Sequence, residues 1–184
     1  MQPNTADGEW DTSGVIQSLN LPVPLHVKDQ DLTLRRATPD DLDALRLLLA
    51  DDPISATRGD NAADADADAY GIALRAIVAD PSNDLLVVSG AEHEPLAMMQ
   101  LTRIPGLARG GSTRLLVEAV RVSSGNRSSG IGSAMLRWVM ESAALSVGAR
   151  LVQLTSDEAR QDAHRFYERL GFVGSHRGFK YAVE

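Results

Sequence analysis

The sequence contains no cysteine among its 184 residues. This absence excludes disulfide bonds, thiolate metal sites and a cysteine nucleophile. Aromatic residues make up only 4% of the chain, so aliphatic side chains must fill most of the core that a hydrophobic content of 43% allows. We therefore expect one compact domain, with or without a tail.

Positive charge is also scarce: the chain has 18 Lys and Arg residues and 25 Asp and Glu residues, which gives a net charge of −7. An acidic chain does not attract phosphate backbones over a broad face, which argues against a nucleic-acid partner and leaves room for a local basic pocket. No apolar run is long enough to cross a bilayer, and the first ten residues lack the pattern of a signal peptide. The four histidines show no metal-ligand spacing. We expect a cytoplasmic protein with no membrane partner and no metal.

Periodicity divides the chain into an extension, residues 1–29, and a folded domain, residues 30–184. The extension shows no sustained period, and it is either loosely ordered or docked through a patch of apolar residues, Val15, Ile16, Leu19 and Leu21. The domain is predicted to have the order β-α-α-β-β-β-α-β-α-β-β, with final strands at 172–174 and 179–183. The prediction includes a helix that starts at Thr38 and Pro39, a second helix at 63–79, and a hairpin of the strands 85–88 and 96–104. This order predicts an α/β (α+β) fold with a mixed, mostly antiparallel sheet and helices on both faces.

One segment carries more chemical information than the rest. A strand ends at Val122, a polar loop follows, and a helix begins at Gly130 and Gly132. The first N–H groups of a helix have no partner within it, so a phosphate or pyrophosphate is their natural ligand. Glycine lets the ligand approach the backbone closely, and Arg127 can add a full positive charge. The P-loop and dinucleotide-binding patterns both fail here, since neither the required lysine nor the third glycine is present.

Two motifs resemble those of the GCN5-related N-acetyltransferase (GNAT) superfamily. Residues 127–132, Arg-Ser-Ser-Gly-Ile-Gly, resemble its (Arg/Gln)-x-x-Gly-x-(Gly/Ala) signature, and residues 162–172 resemble its A-x-x-F-Y-x-x-x-G-F segment. The resemblance implies a GNAT-like sheet and binding of acetyl-coenzyme A as the acetyl donor, with its pyrophosphate at the loop. It assigns coenzyme binding to the strand end, the loop and the helix start: Val120, Arg121, Val122, Arg127, Ser128, Ser129, Gly130, Ile131, Gly132 and Ser133.

Two positions depart from the family pattern. Ser128 and Ser129 replace the commoner Gly-Lys in the loop, so one basic phosphate contact is expected to be missing. Residues 155–157, Thr-Ser-Asp, stand where the family often has an asparagine, which leaves the coenzyme contacts there in doubt.

The family match implies that Tyr167 stands near the thioester sulfur, where its hydroxyl would protonate the departing thiolate. The alternative is that Tyr167 only packs, because it lies on an apolar stripe with Ala163, Phe166 and Leu170.

Glu118 is the candidate general base, since a carboxylate within an apolar strand must meet water, a partner or a pocket. Strand alternation places it on one face with Val120 and Val122. The alternative is an ion pair with Arg121 or Arg103 on a solvated face.

These residues predict an acetyl-CoA-dependent N-acetyltransferase that transfers the acetyl group directly, through a ternary complex, to a primary amine of a small molecule or peptide. The absence of cysteine excludes an acetyl-cysteine intermediate. Two alternatives remain open: a non-catalytic acyl-CoA-binding or sensing module, and an acyltransferase that uses another acyl donor. A homodimer is one possible assembly.

Overall fold

The computed structural model describes residues 15–28, 30–52 and 67–183. The chain forms two compact units, Met1–Gln153 and Leu154–Glu184. The start of the second predicted helix, residues 63–66, lies outside the described residues.

A six-stranded sheet, with strands in sequence order, forms the centre of the first unit. Its strands are β1 Val23–Val27, β2 Gln30–Arg36, β3 Asn83–Ser89, β4 Pro95–Ile104, β5 Thr113–Val122 and β6 Ala149–Leu154. Strands β1 to β5 each pair antiparallel with the next. The mixed, mostly antiparallel fold class and the β3–β4 hairpin are therefore confirmed.

The described helices are short, and the last of them follows β6 in the sequence. They are α1 Leu42–Ala50, α2 Ala67–Ala79, α3 Ile131–Trp138 and α4 Gln161–Arg169. The α3 helix continues through a π-helical turn, Val139–Ala143, and a last turn, Ala144–Ser146. Short 3-10 turns occur at Ile16–Ser18, Pro39–Asp41 and Ser124–Asn126, and one further turn at Ala108–Gly111. Within the described ranges, none of the helices could cross a bilayer.

The core explains the apolar run at residues 85–88 of β3. Its side chains alternate between two buried layers, so both faces of the strand are covered. On one face, Leu85 and Val87 pack in a cluster with residues of α1 and α2 such as Leu45 and Leu74. The α3 helix contacts β1 and β5, and its buried side includes Met135. Helices α1, α2 and α3 thus pack on the sheet of the first unit.

A capping box starts the first helical segment. Thr38 is the N-cap of the turn Pro39–Asp41, and its N–H donates to Asp41 Oδ2 at 2.7 Å. The guanidinium of Arg35 donates to both oxygens of Asp41 at 2.7 and 2.8 Å. Burial alone would raise the pKa of Asp41, but the hydrogen bonds from Arg35 and Thr38 outweigh it and hold the pKa below its ordinary value.

The predicted extension contains ordered structure. Ile16 and Leu19 are buried, and β1 pairs with β2 along its whole length. Arg36 donates from Nη2 to the carbonyls of Gln17 and Leu19 at 3.1 and 3.0 Å, and from Nε to Asp84 Oδ2 at 2.8 Å. These contacts hold residues 16–19 against the sheet, while the domain boundary at residue 29 stays a prediction.

The two strands predicted at 172–174 and 179–183 are not present, because residues 170–183 form no strand. Their apolar alternation suggested strands, yet a strand forms only where a neighbour accepts its backbone hydrogen bonds. Phe179, Tyr181 and Val183 are instead about nine-tenths exposed. The predicted order is therefore wrong at its end, and it also lacks β1 at its beginning.

Candidate functional site

The loop between β5 and α3 is built from turns with two left-handed residues. After the turn Ser124–Asn126, Ser129 Oγ donates to the carbonyl of Asn126 at 2.7 Å. Ser128 has a φ of 62° and Gly130 a φ of 106°. A side chain is disfavoured in this region, which explains why glycine is common at these places in the family motif.

The N-terminus of α3 is open to a ligand. Gly130 is its N-cap and provides no side-chain hydrogen bond to the first N–H groups, so these donors are left for water or an anion. A Cβ at Gly130 would lie 3.2 Å from Val27 Cγ1, so β1 leaves little room for a larger residue there. Both the φ angle and the close approach of β1 therefore require glycine at this position.

A groove of about 280 Å³ lies beside this helix start. Among the described residues, its charged and ionisable lining residues are Lys28, Arg137 and His26, and His26 Nδ1 lies 3.1 Å from Asp31 Oδ1. Ser129, Gly130 and Ser133 complete its polar wall. An anionic group such as the pyrophosphate of coenzyme A fits these residues, because cations and free amides surround it.

Sequence reasoning missed Lys28 and Arg137. Arg137 follows Gly130 by two helical turns, and this spacing alone would have placed it on the same side of α3. Lys28 lies at the end of β1, and its place beside α3 depends on strand pairing that no local pattern reveals.

The signature arginine has protein partners. Arg127 Nη2 donates to the carbonyl of Asp51 at 2.8 Å and to Asp51 Oδ2 at 3.0 Å, and its Nε donates to the carbonyl of Val122 at 3.3 Å. Asp51 Oδ2 also accepts the N–H of Ser124 at 2.6 Å. Arg127 therefore joins the loop to the end of α1, and a direct phosphate contact by its side chain stays a prediction.

A β-bulge changes the expected face of Glu118. Glu118 lies opposite Gln100 and Arg121 opposite Met98, so β5 has one residue more than β4 between these pairs. Ala119 sits in this bulge with a φ of 49°. Because Gln100 and Met98 share a face of β4, Glu118 shares its face with Arg121. The expectation that it shares one with Val120 and Val122 is wrong, because it assumed unbroken alternation.

The side chain of Glu118 is exposed, whereas its neighbours Leu115 and Val117 are buried. Among the described residues, neither Arg103 nor Arg121 forms an ion pair with it. Arg103 Nε instead donates to the carbonyl of Val147 at 3.2 Å, and Arg121 Nη1 donates to that of Val120 at 2.9 Å. The described contacts therefore leave the Glu118 carboxylate accessible to solvent.

Tyr167 belongs to the second unit, in α4. Its half-buried ring lies between Phe166 and Phe172, with ring centroids 5.2 and 6.0 Å away. Its carbonyl accepts the N–H of Phe172 at 3.1 Å, which closes the helix end. Packing thus contributes to its environment, and its role toward a sulfur atom stays a prediction.

The sequence is similar to a known protein family and to a named enzyme. Residues 43–172 match the model of the acetyltransferase (GNAT) family. A relative named aminoalkylphosphonate N-acetyltransferase, from Salmonella typhimurium strain LT2, is 45% identical over 53 residues, which are 29% of this chain and 34% of that protein. The match thus spans about a third of that relative's length.

Solved structures give similarity over most of the chain. A transcriptional regulator from Bacillus halodurans C-125 is 39% identical with a TM-score of 0.77, and the match covers 83% of this chain and 99% of that one. A putative acetyltransferase from Agrobacterium tumefaciens strain C58 is 27% identical with a TM-score of 0.66, and the match covers 82% of this chain and 99% of that one. Since the family model matches the greater part of the sequence, the chain belongs to the acetyltransferase (GNAT) family.

Proposed function

We propose that the protein transfers an acetyl group from acetyl-coenzyme A directly to a primary amine of a small molecule. The observation that carries this proposal is the open N-terminus of α3 beside a groove lined by the cationic side chains of Lys28 and Arg137. Such a site suits a pyrophosphate, and membership of the family supports acetyl transfer as the reaction.

The reaction needs two proton transfers besides binding. The amine nitrogen attacks the thioester carbon, the carbon–sulfur bond breaks, and an amide and a thiol are formed. Glu118 is proposed to accept the proton that the amine loses, and the Tyr167 hydroxyl to donate one to the leaving thiolate. The described contacts leave the Glu118 carboxylate without an ion pair, so it is available to accept a proton. The irregular backbone around Ala119 supports a role for residues 120–122 in binding the donor's carbonyl and amide groups.

The acceptor is proposed to be a small amine, and aminoalkylphosphonates are the first compounds to test because the Salmonella relative is named for them. A panel of amines incubated with acetyl-CoA, with release of free thiol as the readout, tests the activity. Binding of acetyl-CoA without any turnover would favour a sensing module. The Bacillus structure, which is named a transcriptional regulator, is the reason to test this alternative.

Two left-handed glycines at opposite ends of the α3 segment provide a matched test. Gly130→Glu places a side chain and a negative charge at the helix start, so we expect loss of acetyl-CoA binding. Gly148→Glu also places a side chain at a left-handed residue, with φ 65°, but a Cβ there meets nothing within 4 Å. It should lose less stability than Gly130→Glu, which also crowds Val27, and it should keep coenzyme affinity in calorimetry. Equal affinity of native protein and Gly130→Glu would refute the assigned site.

The two proposed proton-transfer residues are tested by conservative changes. Tyr167→Phe and Glu118→Gln should each lower kcat by about a hundredfold, since positioned acids and bases contribute about that much or more. The affinity for acetyl-CoA should stay within about twofold, because neither change removes the α3 amides. Unchanged kcat in either variant would remove that residue from the mechanism.

A further inference from the structure

Among the described residues, Asp51 at the end of α1 forms hydrogen bonds to the β5–α3 loop. Its Oδ2 accepts the backbone N–H of Ser124 and Nη2 of Arg127, and its carbonyl accepts the same Nη2. Its own N–H donates to the carbonyl of Leu47 at 2.9 Å, so the helix end fixes its backbone. The contacts join residues 73 and 76 positions apart in the sequence.

Helix stability alone does not favour this residue. A carboxylate at the C-terminal end of a helix faces the negative end of the helix dipole, which is unfavourable. Arg127 offsets that cost by donating to the last carbonyl and to the carboxylate. Because the pair is a third to a half exposed, it adds little to folding. Its main effect is on the position of the loop that it holds.

The loop needs such a contact. Ser128 and Gly130 have left-handed backbone conformations, and both lie within three residues of Arg127. Without the Asp51 carboxylate, Arg127 would keep its bonds to the carbonyls of residues 51 and 122, but it would lose its ion pair, and the N–H of Ser124 would lose its acceptor. The loop could then leave the conformation that presents its amides together.

We infer that Asp51 is a positioning residue for coenzyme binding, acting through Ser124 and Arg127 to hold the pyrophosphate loop in its binding conformation. This inference rests on the proposed function. Its effect belongs to donor affinity, since a preorganised loop lowers the cost of ordering on binding. It predicts a change in the KM for acetyl-CoA and little change in kcat.

Asp51→Ala is the main test. Calorimetry should show acetyl-CoA binding about tenfold weaker, which corresponds to about 1.4 kcal/mol. The KM for acetyl-CoA should rise by a similar factor, while kcat at saturating acetyl-CoA stays within about twofold. A role confined to general stability would lower the melting temperature without this split between KM and kcat.

Asp51 and Glu94 line a second groove, of about 380 Å³, beside the end of α1. Glu94→Gln is the matched control, because the described hydrogen bonds from this pair to the loop all come from Asp51. It removes the same charge and should leave acetyl-CoA affinity unchanged. Asp51→Asn keeps the size and one acceptor oxygen, so it should fold and bind about threefold more weakly. It supplies the measurement if Asp51→Ala does not fold.

The outcomes separate the two proposals. If the native protein takes up no acetyl-CoA, the proposed function fails and the inference fails with it. If the native protein binds and both Asp51 variants bind equally well, only the inference is overturned. Equal weakening by Glu94→Gln and Asp51→Asn would also overturn it, because charge in the groove would then explain the effect.

Discussion

The two ends of α1 carry the same kind of contact in different settings. Before its start, Arg35 makes a two-bond contact with Asp41, whose side chain is 7% exposed. At its end, Arg127 reaches Asp51, whose side chain is 33% exposed, at 3.0 Å. The first pair is six residues apart and the second 76. Chemically similar pairs can therefore have different effects, one on folding and the other on a distant loop.

Asp41→Ala should have the largest effect. It leaves the Arg35 guanidinium and the Thr38 N–H without their main acceptor in a buried place, so we expect a loss of about 3 kcal/mol in the free energy of unfolding. Urea denaturation measures this loss. Acetyl-CoA affinity of the folded variant should be unchanged. A loss of affinity as large as that of Asp51→Ala would show that the Arg35–Asp41 pair also affects coenzyme binding.

Acid should weaken the first pair in a defined direction. The pKa of Asp41 lies below its ordinary value of 3.8, so ionised Asp41 stabilises the fold above that value, and the contribution is lost as pH falls through the lowered pKa. The difference in unfolding free energy between the native protein and Asp41→Asn should therefore shrink below pH 3.8. Urea titrations from neutral to acid pH test this, and a difference that grows on acidification would contradict it.

Asp51→Ala should have a smaller effect on stability. An exposed ion pair contributes about 1 kcal/mol or less, so unfolding free energy should fall by no more than that. The same denaturation experiment, run beside Asp41→Ala, makes the comparison direct. A loss near 3 kcal/mol would mean that the second pair is also a folding contact.

The smallest expected effect is at Ser128, within the loop that Asp51 holds. Its φ of 62° is easier for glycine, so Ser128→Gly should change stability by no more than about 1 kcal/mol, in the stabilising direction. Thermal melts with a Ser129→Gly control measure it, because the strained φ belongs to Ser128. A clear destabilisation would show that the serine side chain contributes more than its backbone strain costs.

Local patterns predicted much of this structure. Apolar periodicity identified the hairpin that contains β3 and β4, and Thr38 with Pro39 marked the start of a helical segment. The glycine signature located the loop before α3, because its φ angles impose residue types directly. Features of this kind depend on near neighbours in the sequence.

Features that depend on distant residues were not predicted. The bulge at Ala119 shifts the face of Glu118, and nothing in the strand's own pattern marks an extra residue. Asp51 lies at a helix end with no sign that its partner is Arg127. The prediction of strands at 172–174 and 179–183 is wrong for a related reason. Alternation describes which side chains are apolar, whereas a strand forms only if a neighbouring backbone pairs with it.

Arg36 has a practical consequence for shortened forms of the protein. Its guanidinium bridges the buried carboxylate of Asp84 to the carbonyls of Gln17 and Leu19, and Ile16 beside them is fully buried. A truncation that begins at Val23 would remove those carbonyls and uncover apolar surface. Shortened proteins that begin at or before Ile16 keep these contacts. Proteins that begin later expose apolar surface of the core and are expected to aggregate more readily.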